Sequence, residues 1–314
     1  MTDDRYSHDP ARWGASLAHS AELLLPCLDA VGARSVVEIG AYAGDLTGVL
    51  VTWAKANGAR VTAIDPAPQP DLEALEGVEL IRATSLDALR EIPPPDVVII
   101  DGDHNYFTVR EELRLIAERA AGATLPLLLF YDVGWPHGRR DDYHDAGAIP
   151  PAARHPVAGD KGGLFPGEAG LRAGGLPYPR SAAQEGGSRN GVLTAVEDFV
   201  ADHEQLRLVV IPVFFGVGVV WPLDTPWSGA LGTLLDPWDR NPVLKRLEAN
   251  RVLHIAQEYE LVQRTARQEA LLRRMLESKA FAVAERLSKL RIRTGVAPNQ
   301  SEVSRDEVRR ALGE

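Results

Sequence analysis

The sequence predicts a doubly wound α/β domain with a mostly parallel sheet, followed by a helical extension, and three observations carry that prediction. Short β-rich runs alternate with helix-sized segments through the first 133 residues. The strands are apolar on both faces, as in a parallel sheet covered on both sides. From residue 241 onward breakers are few and leucines recur at helical spacing.

The elements follow in order. Residues 10–31 form an expected helix with Leu17, Leu24, Leu25 and Leu28 among its apolar positions, kinked or divided at Pro26. "SVVEIG" (35–40) is a first strand, "DLTGVLVTWAKANG" (45–58) a helix closed by Gly58, and "RVTAIDP" (60–66) a second strand. "VELIRATS" (78–85) is a third and "DVVIID" (96–101) a fourth, which leads into the helix "FTVREELRLIAERAA" (107–121). "TLPLLLFYDV" (124–133) is a fifth.

The alternation then stops. Gly and Pro make up 20 of the 58 residues from Gly134 to Gly191, against a background of roughly 12%. A stretch this long without regular structure is a lid or a linker. Its Trp, Tyr, His and Arg content favours an ordered lid, placed at 134–190. A helix at 191–203 and two strands within "LRLVVIPVFFGVGVVWPL" (206–223), meeting near Gly216, resume the pattern. They read as an antiparallel hairpin closing the sheet. A single helix over 241–291 would reach roughly 75 Å, so two helices, or one packed on a partner subunit, are expected there. "SRDE" (304–307) fits a capping box opening a last short helix. The expected organisation is a helical segment over 1–34, a main domain over 35–235 and a helical extension over 236–314, with a homo-oligomer formed through the last.

Composition narrows the function. The 314 residues are 45% hydrophobic and 25% charged, with a net charge of −10, which argues against a nucleic-acid partner. A lone cysteine, Cys27, excludes an internal disulfide and a Cys-rich zinc site. The run at 208–223 is too short for a membrane span and is broken by Pro212, Gly216 and Gly218. No secretory leader is visible in "MTDDRYSHDP", so a cytoplasmic protein without a membrane partner is expected.

Two stretches carry chemistry. "VVEIGAYAGDLT" (36–47) is a strand, a turn with Gly40 and Gly44, and a helix start, with Glu38 near the strand end. Such glycines let the backbone approach a ligand, while the helix presents its first N–H groups. A tight turn in an α/β protein is the alternative. "DVVIIDGDHNY" (96–106) ends a buried strand in Asp101, Asp103 and His104, groups that are costly there unless solvated, paired or used.

The order acid-x-G-x-x-x-G differs from the G-x-G-x-x-G of dinucleotide loops. It resembles the first motif of class I S-adenosylmethionine-dependent methyltransferases, and "GAYAG" is similar to the wording of the catechol O-methyltransferase group. "DGDHNY" also resembles the "D-G-D-x-x-Y" of macrolide and aminocoumarin sugar O-methyltransferases. The resemblance covers roughly residues 30–133 and 191–223 and implies a Rossmann-like methyltransferase fold. It implies a cofactor site of Glu38, Gly40, Ala41, Tyr42, Gly44, Asp65, Thr84, Ser85 and Asp101, with Asp65 accepting from the ribose hydroxyls of S-adenosylmethionine. It further implies His104 as general base, suited to neutral pH, and Asp101 as ligand of magnesium or another divalent metal.

At the end of the fifth strand the pattern departs. The metal-binding relatives have two adjacent acid or amide residues where this sequence has Tyr131-Asp132. Asp132 suits a hard cation and Tyr131 does not; Asp103, His137 or Asp141 are the residues that would compensate, and a metal-free site is the alternative. In the lid, Trp135, His137, Arg139 and Arg140 are candidates for the substrate, with arginines suited to carboxylate, phosphate or polyol. The alternative for the arginines is pairing with Asp141, Asp142 and Asp145. The resulting expectation is O-methylation of a small polar metabolite, a sugar or natural-product intermediate. Two rivals stay open: an NAD-dependent Rossmann enzyme, and a non-catalytic assembly protein with a degenerate cofactor fold.

Overall fold

The computed structural model describes residues 16–121, 124–294 and 304–312. Residues form two compact units, Met1–His254 and Ile255–Glu314. In the first, seven strands make one sheet: β1 (Ser35–Ile39), β2 (Arg60–Ile64), β3 (Glu79–Ile81), β4 (Val97–Ile100), β5 (Leu127–Phe130), β6 (Leu206–Ile211) and β7 (Val217–Pro222). Their order is β3-β2-β1-β4-β5-β7-β6. The first five are parallel, while β7 runs antiparallel to both β5 and β6. The predicted doubly wound sheet and its closing hairpin are both present.

Helices α1 (Ala21–Val31) and α2 (Asp45–Asn57) cover one face, and α3 (Pro70–Glu73) follows β2. Next come α4 (Ser85–Glu91), α5 (Tyr106–Arg119) and α6 (Val192–Ala201), which cover the other face, then α7 (Ser228–Leu235) on the α1 side. The pleat divides the strands between the two cores. Val97, Ile99, Leu127 and Leu129 join the α1–α2–α7 cluster, whereas Val98, Ile100, Leu128 and Phe130 join the α4–α5–α6 cluster. All eight are at most 2% exposed, and each stabilises the fold by about 1.5–3 kcal/mol.

Local signals set the boundaries. Asn105 caps α5 by accepting from the Thr108 N–H at 2.9 Å, and left-handed Gly58 ends α2. Strand β3 is shorter than predicted because Thr84 caps α4, so Ser85 opens a helix instead of closing a strand. Helix α1 runs through Pro26 without dividing. Burial of Leu24, Cys27 and Leu28 outweighs the ~3 kcal/mol that an interior proline costs. The part of the predicted first helix before Ser16 lies outside the described residues.

Residues 134–190, the expected lid, bury side chains of their own. Tyr143, Ile149, Leu164, Leu176, Ser181 and Ala182 are buried, and four isolated bridges, among them Asp142 with Ser181 and Leu164 with Leu176, tie it together. Helix α8 (Pro242–Glu277) crosses the division between the units. The second unit also holds α9 (Lys279–Arg293) and α10 (Arg305–Ala311), the latter opened by the Ser304–Glu307 capping box. No described helix is long and apolar enough to cross a membrane.

Candidate active site

The sheet register lines up the site. Ile39 pairs with both Ile64 and Ile100, and Ile100 pairs with Phe130. The residues just beyond these ends, Gly40, Asp65, Asp101 and Tyr131, therefore lie along one carboxyl edge. The chain reverses its winding between β1 and β4, and ligands of open α/β sheets bind at such a switch point.

Gly40 is required there. Its φ is 84°, and a Cβ would lie 2.2 Å from the Asp101 carbonyl oxygen, so only glycine lets β1 and β4 converge. Gly44, also left-handed, precedes α2. The buried Glu38 carboxylate accepts from the Thr47 hydroxyl at 2.6 Å. Burial is the main cause that lifts its pKa to about 7. Asp65 is buried and accepts from the Tyr42 N–H at 2.8 Å through Oδ2 and from the Ala67 N–H at 2.7 Å through Oδ1. These bonds fix its carboxylate with lone pairs to spare. Ala41 is buried, while Tyr42, left-handed at φ 44°, is 65% exposed.

At the ends of β4 and β5 three groups converge. Asp101, His104 and Asp132 each offer a ligand atom within 4.8 Å of the others, and His104 Nδ1 lies 3.1 Å from Asp132 Oδ2. Burial first, then the charges of Asp132 and Glu38, hold the Asp101 carboxyl well above the usual carboxylate range. His137 stacks on His104, their ring centroids 5.2 Å apart and 23° from parallel, and Tyr178 meets His137 edge-on at 5.2 Å. Burial lowers the His137 pKa to about 4 and so keeps that imidazole neutral. Its Nδ1 and the indole Nε1 of Trp135 are buried without a hydrogen bond in good geometry, and the Arg140 backbone bears on the His137 ring.

Two carboxylates and an imidazole fit a divalent cation, and the nitrogen donor favours a first-row transition metal over magnesium. Tyr131 packs in the core beside Leu127 and Leu129.

Other candidates are occupied elsewhere. Asp103 forms the turn: it accepts from Asn105 Nδ2 at 2.6 Å, the Thr108 hydroxyl at 2.9 Å and the His144 N–H at 2.9 Å. Asp141, fully buried, holds the lid by accepting from the Tyr106 and Gly191 N–H groups and the Tyr143 hydroxyl. Arg140 has no exposed surface and donates to the Ala182 and Ala169 carbonyls at 2.6 and 2.8 Å. Arg139 pairs with Glu197 at 2.7 Å and donates to Thr194 at 3.1 Å. The acids beside these arginines are thus Glu197 and, at 3.6 Å from Arg140, Glu185, not Asp141, Asp142 or Asp145.

One residue escaped the sequence reading. Glu112 on α5 is fully buried with neither carboxyl oxygen hydrogen-bonded in good geometry. The Ser85 hydroxyl and Asp103 are the polar groups that bear on it, and burial pushes its pKa up to about 8. Its place among Val109, Leu113 and Ile116 on the apolar face of α5 was the available signal.

Residues 37–127 match the family model of a methyltransferase domain. The chain carries a methyltransferase domain. The antiparallel β7 inserted beside β5 is the class I form of the sheet, so the dinucleotide-enzyme rival lacks both its loop motif and its topology. No curated protein matches the sequence. Among solved structures, the SAH-bound methyltransferase PaMTH1 of Podospora anserina is similar at 15% identity and a TM-score of 0.42, covering 69% of this chain and 83% of its own. A putative caffeoyl-CoA O-methyltransferase of Staphylococcus aureus follows at 10% identity and 0.40, covering 65% and 82%. A Bacillus cereus O-methyltransferase in complex with SAH has 14% identity and 0.37, covering 70% and 94%. At such distances the fold is taken from the sheet order itself.

Proposed function

We propose that this chain is an S-adenosylmethionine-dependent O-methyltransferase acting on a small polar acceptor, with His104 as general base. The observation that carries the reading is the Asp132–His104 pair at the carboxyl edge of a methyltransferase sheet, 3.1 Å apart. With Asp132 accepting from Nδ1–H, Nε2 is the atom that would take the acceptor's proton, and the adjacent carboxylate would stabilise the charge that forms. Asp65, Gly40 and Glu38 support the donor's place along the same edge, and Thr84 and Ser85 at the start of α4 suit the adenine end.

In-line transfer from a sulfonium needs the acceptor oxygen aligned and its proton removed. The stacked His137 and the edge-on Tyr178 ring give this edge an aromatic wall, which suits an acceptor with a ring. Arg139 and Arg140 contribute by holding the lid. Where a divalent cation is used, Asp101 and Asp132 would hold it, leaving His104 as base, and its charge would supply acidification of the acceptor hydroxyl.

The test pairs binding with turnover. S-adenosylhomocysteine should bind by calorimetry, and a labelled methyl donor offered a panel of sugars and phenols should yield a methylated product. His104→Ala should then lower kcat by about 10²-fold or more with cofactor affinity retained. Absence of S-adenosylhomocysteine binding at saturation, or full turnover by His104→Ala, would sink the reading.

A further inference from the structure

The connection between β6 and β7 turns through two consecutive left-handed residues, Phe214 at φ 49° and Phe215 at φ 67°. Phenylalanine adopts this conformation only where its surroundings impose it. Two successive N–H groups so disposed form a concave pair of donors that suits a carboxylate. Glu248, in the first turns of α8, supplies one. The Phe214 N–H donates to its Oε2 at 3.2 Å and the Phe215 N–H to its Oε1 at 2.8 Å. Arg251, one turn further on, donates to the same two oxygens from Nε and Nη2, each at 2.7 Å. Its guanidinium lies 4.5 Å from the Phe215 ring centroid.

On its other side the turn grips the strand end that carries the site. The Gly134 N–H donates to the Phe215 carbonyl at 2.5 Å and the Val133 N–H to the Gly216 carbonyl at 3.4 Å. The fit leaves no slack. A Cβ on Gly134 would lie 2.4 Å from the Phe215 oxygen, and one on Gly216 would lie 2.3 Å from the Gly134 nitrogen. Two residues before Gly134, Asp132 is itself left-handed at φ 55°. It is the residue that meets His104.

The geometry points to Glu248 as a positioning residue: by holding the Phe214–Phe215 turn left-handed it locks Gly134, and so sets the Asp132 carboxylate against His104. The effect on turnover rests on the function proposed above; the mechanical coupling does not. An ordinary helix ion pair between Glu248 and Arg251 would leave residues 132–134 untouched.

Hydrogen exchange on the full-length protein separates the two. Glu248→Ala should speed exchange at Gly134 at least about tenfold while leaving Val98 in β4 unchanged. Adding Phe214→Gly should restore protection, because glycine takes positive φ without the carboxylate. Should Glu248→Ala fail to fold, Glu248→Gln, which keeps one acceptor oxygen, should give an intermediate acceleration at Gly134. In the methyl-transfer assay kcat should fall about tenfold with the donor KM unchanged, and the glycine rescue should recover it. Unchanged exchange at Gly134, equal acceleration at Val98, or no rescue by Phe214→Gly would each overturn the assignment. If wild-type protein fails to bind S-adenosylhomocysteine, the proposed function falls, and exchange at Gly134 still decides the role of Glu248.

Discussion

Glu112 makes the stability of this protein depend on pH in a direction opposite to that of most acids. Its carboxyl lies fully buried, and burial raises its pKa from 4.5 to about 8. The folded state therefore holds this proton more tightly than the unfolded chain. The stabilisation is complete below pH ~4.5 and is lost progressively as pH rises through about 8. The difference of about 3.5 units corresponds to at most about 5 kcal/mol, and local relaxation with water entry reduces the penalty, so about half is a working figure. Glu112→Gln keeps the shape and removes the titration. About two-thirds of that loss falls between pH 5.5 and pH 8.5, so at ~2 °C per kcal/mol for a domain of this size the variant should gain about 3 °C of Tm on wild type across that range. Thermal denaturation followed by circular dichroism at several pH values measures this gain, and other titrating groups cancel because both proteins share them. A difference in Tm that stays flat across the range, or grows toward low pH, would refute the buried-proton account.

Three further outcomes are expected. Gly40→Ala should abolish cofactor binding or folding, since its Cβ would fall 2.2 Å from the Asp101 oxygen; a soluble variant with wild-type S-adenosylhomocysteine affinity would contradict the convergence of β1 and β4. Asp65→Ala should weaken S-adenosylhomocysteine at least about tenfold by calorimetry, because the proposed ribose contact is lost together with the acceptor of the Tyr42 N–H. We propose that the second unit joins copies of the chain, because Leu261, Val262, Leu271, Val283, Leu287 and Leu290 are each more than half exposed within it; removing residues 255–314 should then lower the mass in light scattering by more than the deleted residues weigh, and a fall equal to their weight would dismiss these helices as an interface.

The sheet and its carboxyl edge were legible in the sequence because their cause is local. Apolar runs, glycine turns and capping residues lie within a few positions of what they determine, and the family resemblance then implied that Gly40, Asp65 and Asp101 serve one site. The partners of Asp103, Asp141 and Arg140 were not legible. Asp103 accepts from His144, 41 residues away, Asp141 from Gly191 at 50, and Arg140 donates to Ala182 at 42. Such bonds depend on how the lid folds back, and no periodicity encodes that. Glu112 lay between these cases: helical spacing alone put it on the apolar face, beside a Glu111 that the same spacing puts toward solvent.

The Tyr131-Asp132 pair shows how the pleat assigns adjacent residues to different tasks. Strand pairing continues past β5, with the Tyr131 N–H donating to the Ile100 carbonyl at 3.1 Å. Tyr131 therefore follows Leu127 and Leu129 into the core between the sheet and α1–α2–α7. Burial is the first cause that keeps its phenol protonated, and the charges of Asp132 and Asp101 add to it. Asp132 is freed from that alternation by its own left-handed φ of 55°, which ends the strand and lets its carboxylate reach His104. An acid at position 131 would instead enter the apolar cluster at a desolvation cost of several kcal/mol. At the end of β5 one carboxylate is thus turned out of the strand to meet His104, while the tyrosine beside it stays packed in the core.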